Sequence, residues 1–456
     1  MSIRTLCACV LGGLLTSFAS AQPPPLAAPV RFPADDAPPS LLYRNTDGPG
    51  GGPLPILNDF GRSPLVEAPP AADAAPAGPF RIWMNNELLM WWMEGMGLPN
   101  LVTSSPAGTP VATAGVIGQP GTVTVFPKGT VDNSMRFGWR STMGGWLDDD
   151  QRFALEAQFL LLAGGGKQFS AASDGTLILV RPVINGVTNV QTSEPIAVPG
   201  TSAGAIHIAT STSLIGAGLW VRERFCSSDD PCSTCRPCLG GGCSALGCSG
   251  DSGSAWRCRF DGMFGYRYLR LGDHLAINDT VTAAVALNGL PAGAQMQRLD
   301  KFDSDNTFHG LDVGITGAIE RGPWSLGVVT KVAAGANDSS VDILGARVVN
   351  GVATPSGLLA QTTNGGHFSK VHVSGVPEID LKLAYALGPN VRLYFDYTLL
   401  YWFNVYRAGA QADVNVDPSF LLLGAPTGNA AVRPAISLQG RDMWVQGISI
   451  GLEWRY

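Results

Sequence analysis

Seven cysteines lie close together in the stretch "CSSDDPCSTCRPCLGGGCSALGCSGDSGSAWRC". They are Cys226, Cys232, Cys235, Cys238, Cys243, Cys248 and Cys258. The two consecutive C-x-x-C steps, at Cys232, Cys235 and Cys238, could bind zinc or an iron–sulfur cluster. In an oxidising compartment the cysteines would instead form disulfides that close a long loop. We favour disulfides, with Cys226 and Cys258 as candidates for the pair at the neck of the loop. Since seven is odd, one thiol stays free or joins a partner.

Other residues that could carry catalysis lack the partners that their chemistry needs. His309 lies three residues before Asp312, and "GDSGS" places Ser252 in a stretch similar to a serine-protease nucleophile. A serine nucleophile needs a histidine base and an orienting acid, and no matching pair accompanies Ser252. Neither a G-x-x-x-x-G-K-[ST] phosphate loop nor an H-E-x-x-H metal motif occurs in the sequence. The sequence therefore predicts no enzymatic activity and no cofactor.

Nineteen charged residues fall on one phase of alternating segments, so their side chains should point to one side of a sheet. Eleven are basic and eight are acidic: Glu87, Arg136, Arg140, Arg152, Glu156, Arg222, Arg257, Arg259, Asp261, Arg267, Asp312, Lys331, Glu378, Asp380, Lys382, Arg392, Asp396, Glu453 and Arg455. Inside a closed sheet they would either neutralise one another or line a weakly anion-selective pore. The number of strands decides between these two interpretations.

The elements that must position these charges are ten segments of period-two alternation. They cover about 82–94, 134–147, 152–164, 212–226, 256–271, 308–320, 325–336, 369–387, 391–406 and 442–456. Each is at least as long as the roughly 9–11 residues that a strand needs to cross a bilayer. We therefore predict an all-β fold, a transmembrane antiparallel up-and-down β-barrel of about ten strands, within a range of 8–12.

The links between the segments alternate in length. The short links "DDDQ", "RGPW" and "GPN" are tight turns, whereas most of the others run to tens of residues. Outer-membrane barrels have short periplasmic turns and long outer loops. The cysteine-rich stretch, residues 227–257, is the exception, because strand counting places it at a periplasmic turn. About eight strands give an interior filled by side chains, and a wide channel needs roughly 16–18. Ten strands thus favour a plugged or very narrow lumen.

The chain ends on the alternating run "MWVQGISIGLEWRY". One set of its residues is mostly apolar and the other is small, polar or charged, as expected for a strand between lipid and lumen. This last strand must pair with the first, "RIWMNNELLMWWMEG". We interpret its terminal aromatic residues, Trp454 and Tyr456, as a signal that the outer-membrane assembly machinery reads in the unfolded chain.

The N-terminal part predicts export. Residues 1–21 combine Arg4, the short apolar run "LCACVLGGLLTSF" and an Ala19-Ser20-Ala21 cleavage site, which is typical of a signal peptide. Residues 22–79 are rich in proline and alanine and predict a disordered periplasmic segment. The net charge of −6, with 14% charged residues, offers no basic stripe for nucleic acid. We therefore expect a cell outer-membrane protein with lipid as its surroundings.

Several stretches resemble a family of bacterial outer-membrane proteins known only as "beta-barrel protein seven". They include "FALEAQFLLL", "FGYRYLRLGDHLAI", "DKFDSDNTFHGLDVGITG", "LGVVTKVAAGAN" and "LYFDYTLLYWFNVYRAGAQADVNVDP", in that order along residues 80–456. The resemblance implies an outer-membrane β-barrel and no established activity. The stretch "DVNVDPSF" and the long cysteine-rich insert depart from the family's usual pattern.

We therefore expect an integral outer-membrane barrel with a structural or surface role, and with a possible narrow passive pore for small solutes. The alternative is a barrel that binds a ligand or another surface through its extracellular loops, which are large enough to carry recognition. The sequence names neither a solute nor an extracellular ligand.

Overall fold

A computed structural model describes residues 82–227, 257–424 and 432–456. The predicted signal peptide, the proline-rich segment 22–79 and the cysteines from Cys232 to Cys248 lie outside these residues. Among the described residues, no helix is long and apolar enough to cross a membrane.

The described residues form seventeen strands. In chain order they are β1 (Ile82–Met93), β2 (Val102–Ser104), β3 (Val123–Phe126), β4 (Arg136–Trp146), β5 (Phe153–Gly165), β6 (Gln168–Ser173), β7 (Leu179–Asn185), β8 (Gln191–Ala197), β9 (Ser202–Ser227), β10 (Arg257–Ala283), β11 (Gln295–Arg321), β12 (Trp324–Val349), β13 (Val352–Thr354), β14 (Gly366–Ala386), β15 (Val391–Tyr406), β16 (Asn415–Val416) and β17 (Gly440–Arg455).

Ten of these strands close into an antiparallel barrel. Each pairs with the next in the order β1, β4, β5, β9, β10, β11, β12, β14, β15 and β17, and β17 returns to β1. The ten predicted segments correspond one to one to these ten strands, so the predicted fold is confirmed. Closure leaves no barrel edge without a hydrogen-bonded neighbour, which is what a sheet needs in lipid.

Alternation in each strand separates an outer apolar face from an inner face. On β15 the side chains of Phe395 and Phe403 are exposed on the outside, whereas Tyr394, Asp396 and Thr398 are buried inside. Similar outward apolar residues run around the wall, among them Trp139, Phe159, Leu219, Phe264, Leu311, Val332, Leu383 and Ile450. This outer band is what a barrel presents to the hydrocarbon of a membrane.

Four neighbouring strands are much longer than the sequence predicted. β9, β10, β11 and β12 have 26, 27, 27 and 26 residues, so they continue beyond the apolar band at the end with the long loops. Their outward residues there are polar, as at His274, Asp303 and Asp342. The predicted boundaries were too short because the outer face loses its apolar character where the strand leaves the lipid.

A second, smaller sheet lies at the end with the long loops. It has the order β16-β7-β2-β3, with β8 paired to β7. Its residues share one apolar core with the extended barrel strands, and Val183 and Ile196 pack with Ile277, Phe302 and Val341 in this core. We call this sheet, together with the loop 355–365, the cap. The loop belongs to it because Leu358, Leu359 and Ala360 are buried in the same core.

The opposite end of the barrel has short turns. In the turn between β4 and β5, Asp148 accepts hydrogen bonds from the backbone N–H groups of Phe153 at 2.7 Å and Arg152 at 2.8 Å. These bonds stabilise the charged carboxylate and lower the pKa of Asp148. The predicted "DDDQ" turn is thus held by its own aspartate.

β17 closes the barrel by pairing with β1 from Trp83–Arg455 to Met93–Val445, and the last residues of the chain extend this pairing. Ile82 and Tyr456 exchange backbone hydrogen bonds of 3.0 and 2.8 Å, and Arg455 N–H donates to Asn390 at 2.9 Å. Deleting residues 454–456 should therefore lower the amount of inserted barrel more than deleting the exposed strand Val352–Thr354, which pairs only with β12. Both variants should be compared with the intact chain by heat-modifiable gel mobility of membrane fractions. Equal amounts of folded barrel from the two deletions would contradict this expectation.

Candidate functional site: the filled barrel interior

The interior of the barrel is divided into layers along its axis. They follow one another from the end with the short turns to the cap. Each layer arises because one phase of every strand points inward, so residues at the same height on ten strands meet at the axis.

The first layer is a cavity of about 640 Å³ that we call the vestibule. It lies at the end with the short turns, since its wall includes Ile82, Trp146, Gln151, Glu320 and Arg455 from the ends of the strands. Ion pairs run along this wall: Arg222–Glu156 at 3.1 Å, Arg259–Asp261 at 3.2 Å and Arg392–Glu320 at 2.7 Å.

The second layer is a buried network that we call the charged layer. Its members are Glu87, Arg140, Arg267, Asp312, Lys331, Glu378, Asp380 and Asp396. Arg140 lies at its centre, with Glu87 at 2.7 Å, Asp380 at 3.0 Å and Asp396 also in contact. Taking these charges out of water is costly, so each must meet an opposite charge at short range.

Two more cations, Arg267 and Lys331, complete this network on the opposite wall. Arg267 contacts Asp312 at 2.7 Å and Glu378 at 2.6 Å, and Lys331 reaches Glu378 at 2.9 Å. Since Arg140 also lies 3.9 Å from Glu378, that carboxylate joins the two cationic groups across the lumen. The contacts of Glu378 with Arg140 and Arg267 thereby tie β14 to β4 and β10, which are not its neighbours in the sheet.

Two tryptophans connect the charged layer to the next layer. Trp91 donates to Ser449 at 3.2 Å, and Trp220 donates to Asp312 at 3.1 Å. Glycines make room for these large rings: a Cβ atom at Gly447 would lie 2.5 Å from Trp91, and one at Gly218 would lie 2.0 Å from Trp220. The high glycine content of the strands therefore has a packing cause at these two positions.

The third layer is apolar and crosses the lumen. We call this set the apolar layer: Leu89, Trp91, Met93, Leu160, Leu162, Leu214, Leu269, Leu271, Phe308, Ala333, Val376, Leu400, Trp402, Val405, Met443 and Val445. Phe308 and Trp402 are fully buried and pack edge to face, with ring centroids 6.1 Å apart. Between this layer and Arg140 the cavity has a volume of only about 20 Å³. That space holds about one water molecule.

Beyond the apolar layer the interior becomes polar again. Asn306 donates to the carbonyl oxygen of Tyr406 at 2.7 Å and accepts from Ser339 at 2.8 Å. Arg407, on the loop after β15, forms a buried ion pair with Asp273 on β10. These bonds attach the loop to the barrel wall.

Buried ion pairs fasten the cap to the extended strands. Arg181 on β7 lies 2.8 Å from Asp279 and 2.7 Å from Asp300, and all three side chains are fully buried. Asp300 also accepts three backbone N–H groups, from Leu358, Leu359 and Ala360. One aspartate on the barrel thus holds both the small sheet and the loop 355–365.

A second contact joins β8 to the wall. Glu194 pairs with Arg298 and accepts the N–H of Leu422 at 2.9 Å. Burial raises the pKa of Glu194, and the nearby Arg298 offsets this only in part. For Arg298, burial disfavours the charge, but Asp279 and Glu194 outweigh it and raise its pKa.

The sequence matches the family described as "Putative beta barrel porin-7 (BBP7)" over residues 83–456. The chain belongs to the BBP7 family. No curated protein matches it.

Solved structures similar to this BBP7 barrel are outer-membrane proteins. The outer membrane protease OmpT from Escherichia coli has 10% identity, covers 82% of this chain and 97% of its own, and has a TM-score of 0.36. A Pseudomonas aeruginosa FadL homologue has 8% identity, coverages of 82% and 90%, and a TM-score of 0.21. The P. putida toluene transporter TodX has 8% identity, coverages of 83% and 90%, and a TM-score of 0.18. At these TM-scores the solved structures give no information on the function of this chain. The family places the protein in the outer membrane.

The structure of the BBP7 chain places the predicted lumen charges on inward-facing positions, with one exception. Arg152 precedes β5, its side chain is 63% exposed, and it pairs with the outward Glu223 at 3.0 Å. Eight of the others form the charged layer. Eight face the vestibule: Lys382, Glu453, Glu156, Arg222, Arg257, Arg259, Arg392 and Arg455. Asp261 also points inward but is buried behind the vestibule wall, where it pairs with Arg222 and Arg259. Arg136 lies on the cap side, where it donates to the carbonyl oxygens of Thr212 and Asp132.

The alternating pattern of the sequence did not predict several charged residues that line the vestibule or hold the cap. Glu320 and Arg224 face the vestibule, and Arg181, Glu194 and Arg298 hold the cap. Arg181 and Glu194 come from a loop without a long alternating pattern, so their spacing gives no signal. Asp279 and Arg298 lie on the inward phase of β10 and β11, and a longer reading of those strands would have included them.

The other predicted chemistry is not assembled among the described residues. His309 and Asp312 point to opposite faces of β11, and the His309 ring contacts the hydroxyl of Tyr266 outside the barrel. In the part of the chain that the structure describes, there is no group of three or more metal-binding side chains. The side chains of Cys226, Cys232, Cys235, Cys238, Cys243 and Cys248 lie outside the described ones, so the predicted pairing stays a prediction.

The contribution of the charged layer to the stability of the barrel can be measured by substitution. Replacing Arg140 by methionine leaves Glu87, Asp380 and Asp396 without their shared cation. Breaking a buried ion pair in this way typically costs about 3–5 kcal/mol. We expect the urea midpoint of the folded barrel, followed by tryptophan fluorescence, to fall accordingly.

The matched control is Arg270→Met. Arg270 pairs with Asp305 on the outer wall, where its side chain is 53% exposed, and such a pair is worth at most about 1 kcal/mol. If Arg140→Met shifts the midpoint no more than Arg270→Met does, the charged layer is not a structural centre of the barrel.

Proposed function

We propose that this barrel is a closed, non-catalytic membrane scaffold that holds a rigid cap at the cell surface. The observation that carries the proposal is the apolar layer, whose fully buried Phe308 and Trp402 pack across the lumen. An ion that crossed this layer would lose its water shell without gaining a charged partner, which is strongly unfavourable. The surface role follows from the extended strands and the cap, which continue beyond the apolar outer band.

The second candidate function is a narrow passive pore, which the family description as a porin favours. Conduction would require the apolar layer and the charged layer to open together. The charged layer resists this, because Arg140 and Glu378 bridge strands on opposite sides of the lumen. We therefore place the closed scaffold ahead of the pore.

Electrical recording separates the two functions. We expect purified protein in planar bilayers to be silent in potassium chloride, because the apolar layer excludes hydrated ions. A general porin in the same bilayers is the positive control for insertion and detection. Discrete openings whose conductance rises with salt concentration would contradict the closed scaffold and favour the pore.

A surface role also depends on the rigidity of the cap. Replacing Arg181 by methionine removes the cation that joins β7 to Asp279 and Asp300. We expect the outer loops of this variant to be cut faster by protease added to intact cells, while the barrel remains resistant. Buried contacts of this kind set the free energy of local opening.

The matched control for this test is Lys370→Met, an exposed position on β14. It should be cut at the rate of the unaltered protein. Equal cleavage of Arg181→Met and Lys370→Met would mean that the ion pair does not hold the cap.

A further inference from the structure

The vestibule has an excess of positive charge. The side chains that line it include nine basic and six acidic residues. Two carboxylates lie behind the wall: Asp261 pairs with Arg222 and Arg259, and Glu378 pairs with Lys331, so that one positive charge remains in excess. A low-dielectric wall of one predominant sign concentrates ions of the opposite sign in the space that it encloses.

Three of these cations, Arg257, Lys382 and Arg224, form no direct ion pair with a carboxylate of the described residues. Lys382 places its ammonium group 4.1 Å from the ring centroid of Tyr394. Arg224 donates to the side-chain oxygen of Gln151 at 3.2 Å and lies 4.6 Å from the ring centroid of Trp146. Both line the cavity, and their contacts with neutral groups leave donor capacity for a ligand.

The vestibule is also a blind cavity. Among the residues that the structure describes, it opens at the end with the short turns, which is the periplasmic end of an outer-membrane barrel. The charged layer and the apolar layer close its other end. A solute that enters therefore binds and leaves through the same opening.

We propose that the vestibule is a binding site for a small oxyanion with more than one negative charge, a carboxylate or a phosphate, taken from the periplasm. Its recognition groups are Lys382 and Arg224, with Arg257 at the opening. Arginine and lysine donate charge-assisted hydrogen bonds to such oxygens. The cavity of about 640 Å³ is large enough for a molecule of the size of citrate. This inference goes beyond the closed scaffold and does not depend on it, because binding requires only the vestibule.

The test is calorimetric titration of the full-length protein in detergent with citrate and, in a separate series, with inorganic phosphate. We expect saturable binding of at least one of them, weakened by sodium chloride because screening reduces the attraction. Binding of citrate alone would identify a carboxylate site, and binding of phosphate alone a phosphate site. Glycerol, which is neutral, should give no saturable heat.

The double variant Lys382→Met, Arg224→Gln should bind the preferred anion roughly tenfold or more weakly, since it loses two charged donors. The single variant Arg224→Gln, at the rim of the vestibule, should bind the anion with an affinity between those of the unaltered protein and the double variant. Heat-modifiable gel mobility checks that every variant is folded. The matched control is Lys301→Met, Arg270→Gln, which removes the same charges from the outer wall.

Two results would overturn the proposal. One is an absence of saturable binding of both citrate and phosphate at low salt by a folded protein. The other is an equal loss of affinity in the outer-wall control, because this would mean that the anions respond only to net charge. Neither result bears on electrical silence, so the failure of this inference and that of the closed scaffold are distinguishable.

Discussion

The lumen of a ten-stranded barrel is too narrow for a wide water-filled channel. This constraint determines how the side chains inside the barrel pack. Every second residue of each strand points into that space, so inward side chains from opposite walls meet. Large rings such as Trp91 and Trp220 fit only where a neighbouring position has no side chain, as at Gly447 and Gly218. Charged side chains fit only where an opposite charge reaches them, as around Arg140.

The same constraint gives the two ends of the barrel different properties. Towards the long loops, apolar packing continues into the cap, and buried ion pairs such as that of Arg181 with Asp300 fasten the cap to the wall. Towards the short turns, the packing stops and leaves a water-accessible cavity whose charges are only partly paired. The lumen is therefore divided by packing: one part is filled by side chains, and the other is a cavity. In our proposal the filled part resists deformation and the cavity takes up small anions.

The sequence was sufficient for the membrane-spanning wall but not for what lies above it. Alternation is strong where one face meets lipid and the other meets charge, so all ten barrel strands and most inward charges could be predicted. The outer halves of β10 and β11 carry polar residues on both faces, as at Asp279 and Asp303, and the contrast that reveals a strand is lost. The cap depends on contacts between residues far apart in the chain, such as Arg181 with Asp279 and Asp300, which no local pattern encodes.

We propose that the stacked layers close the lumen to ions. Chloride efflux from proteoliposomes, followed with a chloride-sensitive dye, tests this closure on the whole population of reconstituted barrels. We expect vesicles containing the folded protein to retain chloride as long as protein-free vesicles do, and vesicles containing a general porin to lose it at once. Efflux that increases with the number of folded barrels per vesicle would mean that the lumen is open, since ions would then pass between Phe308 and Trp402.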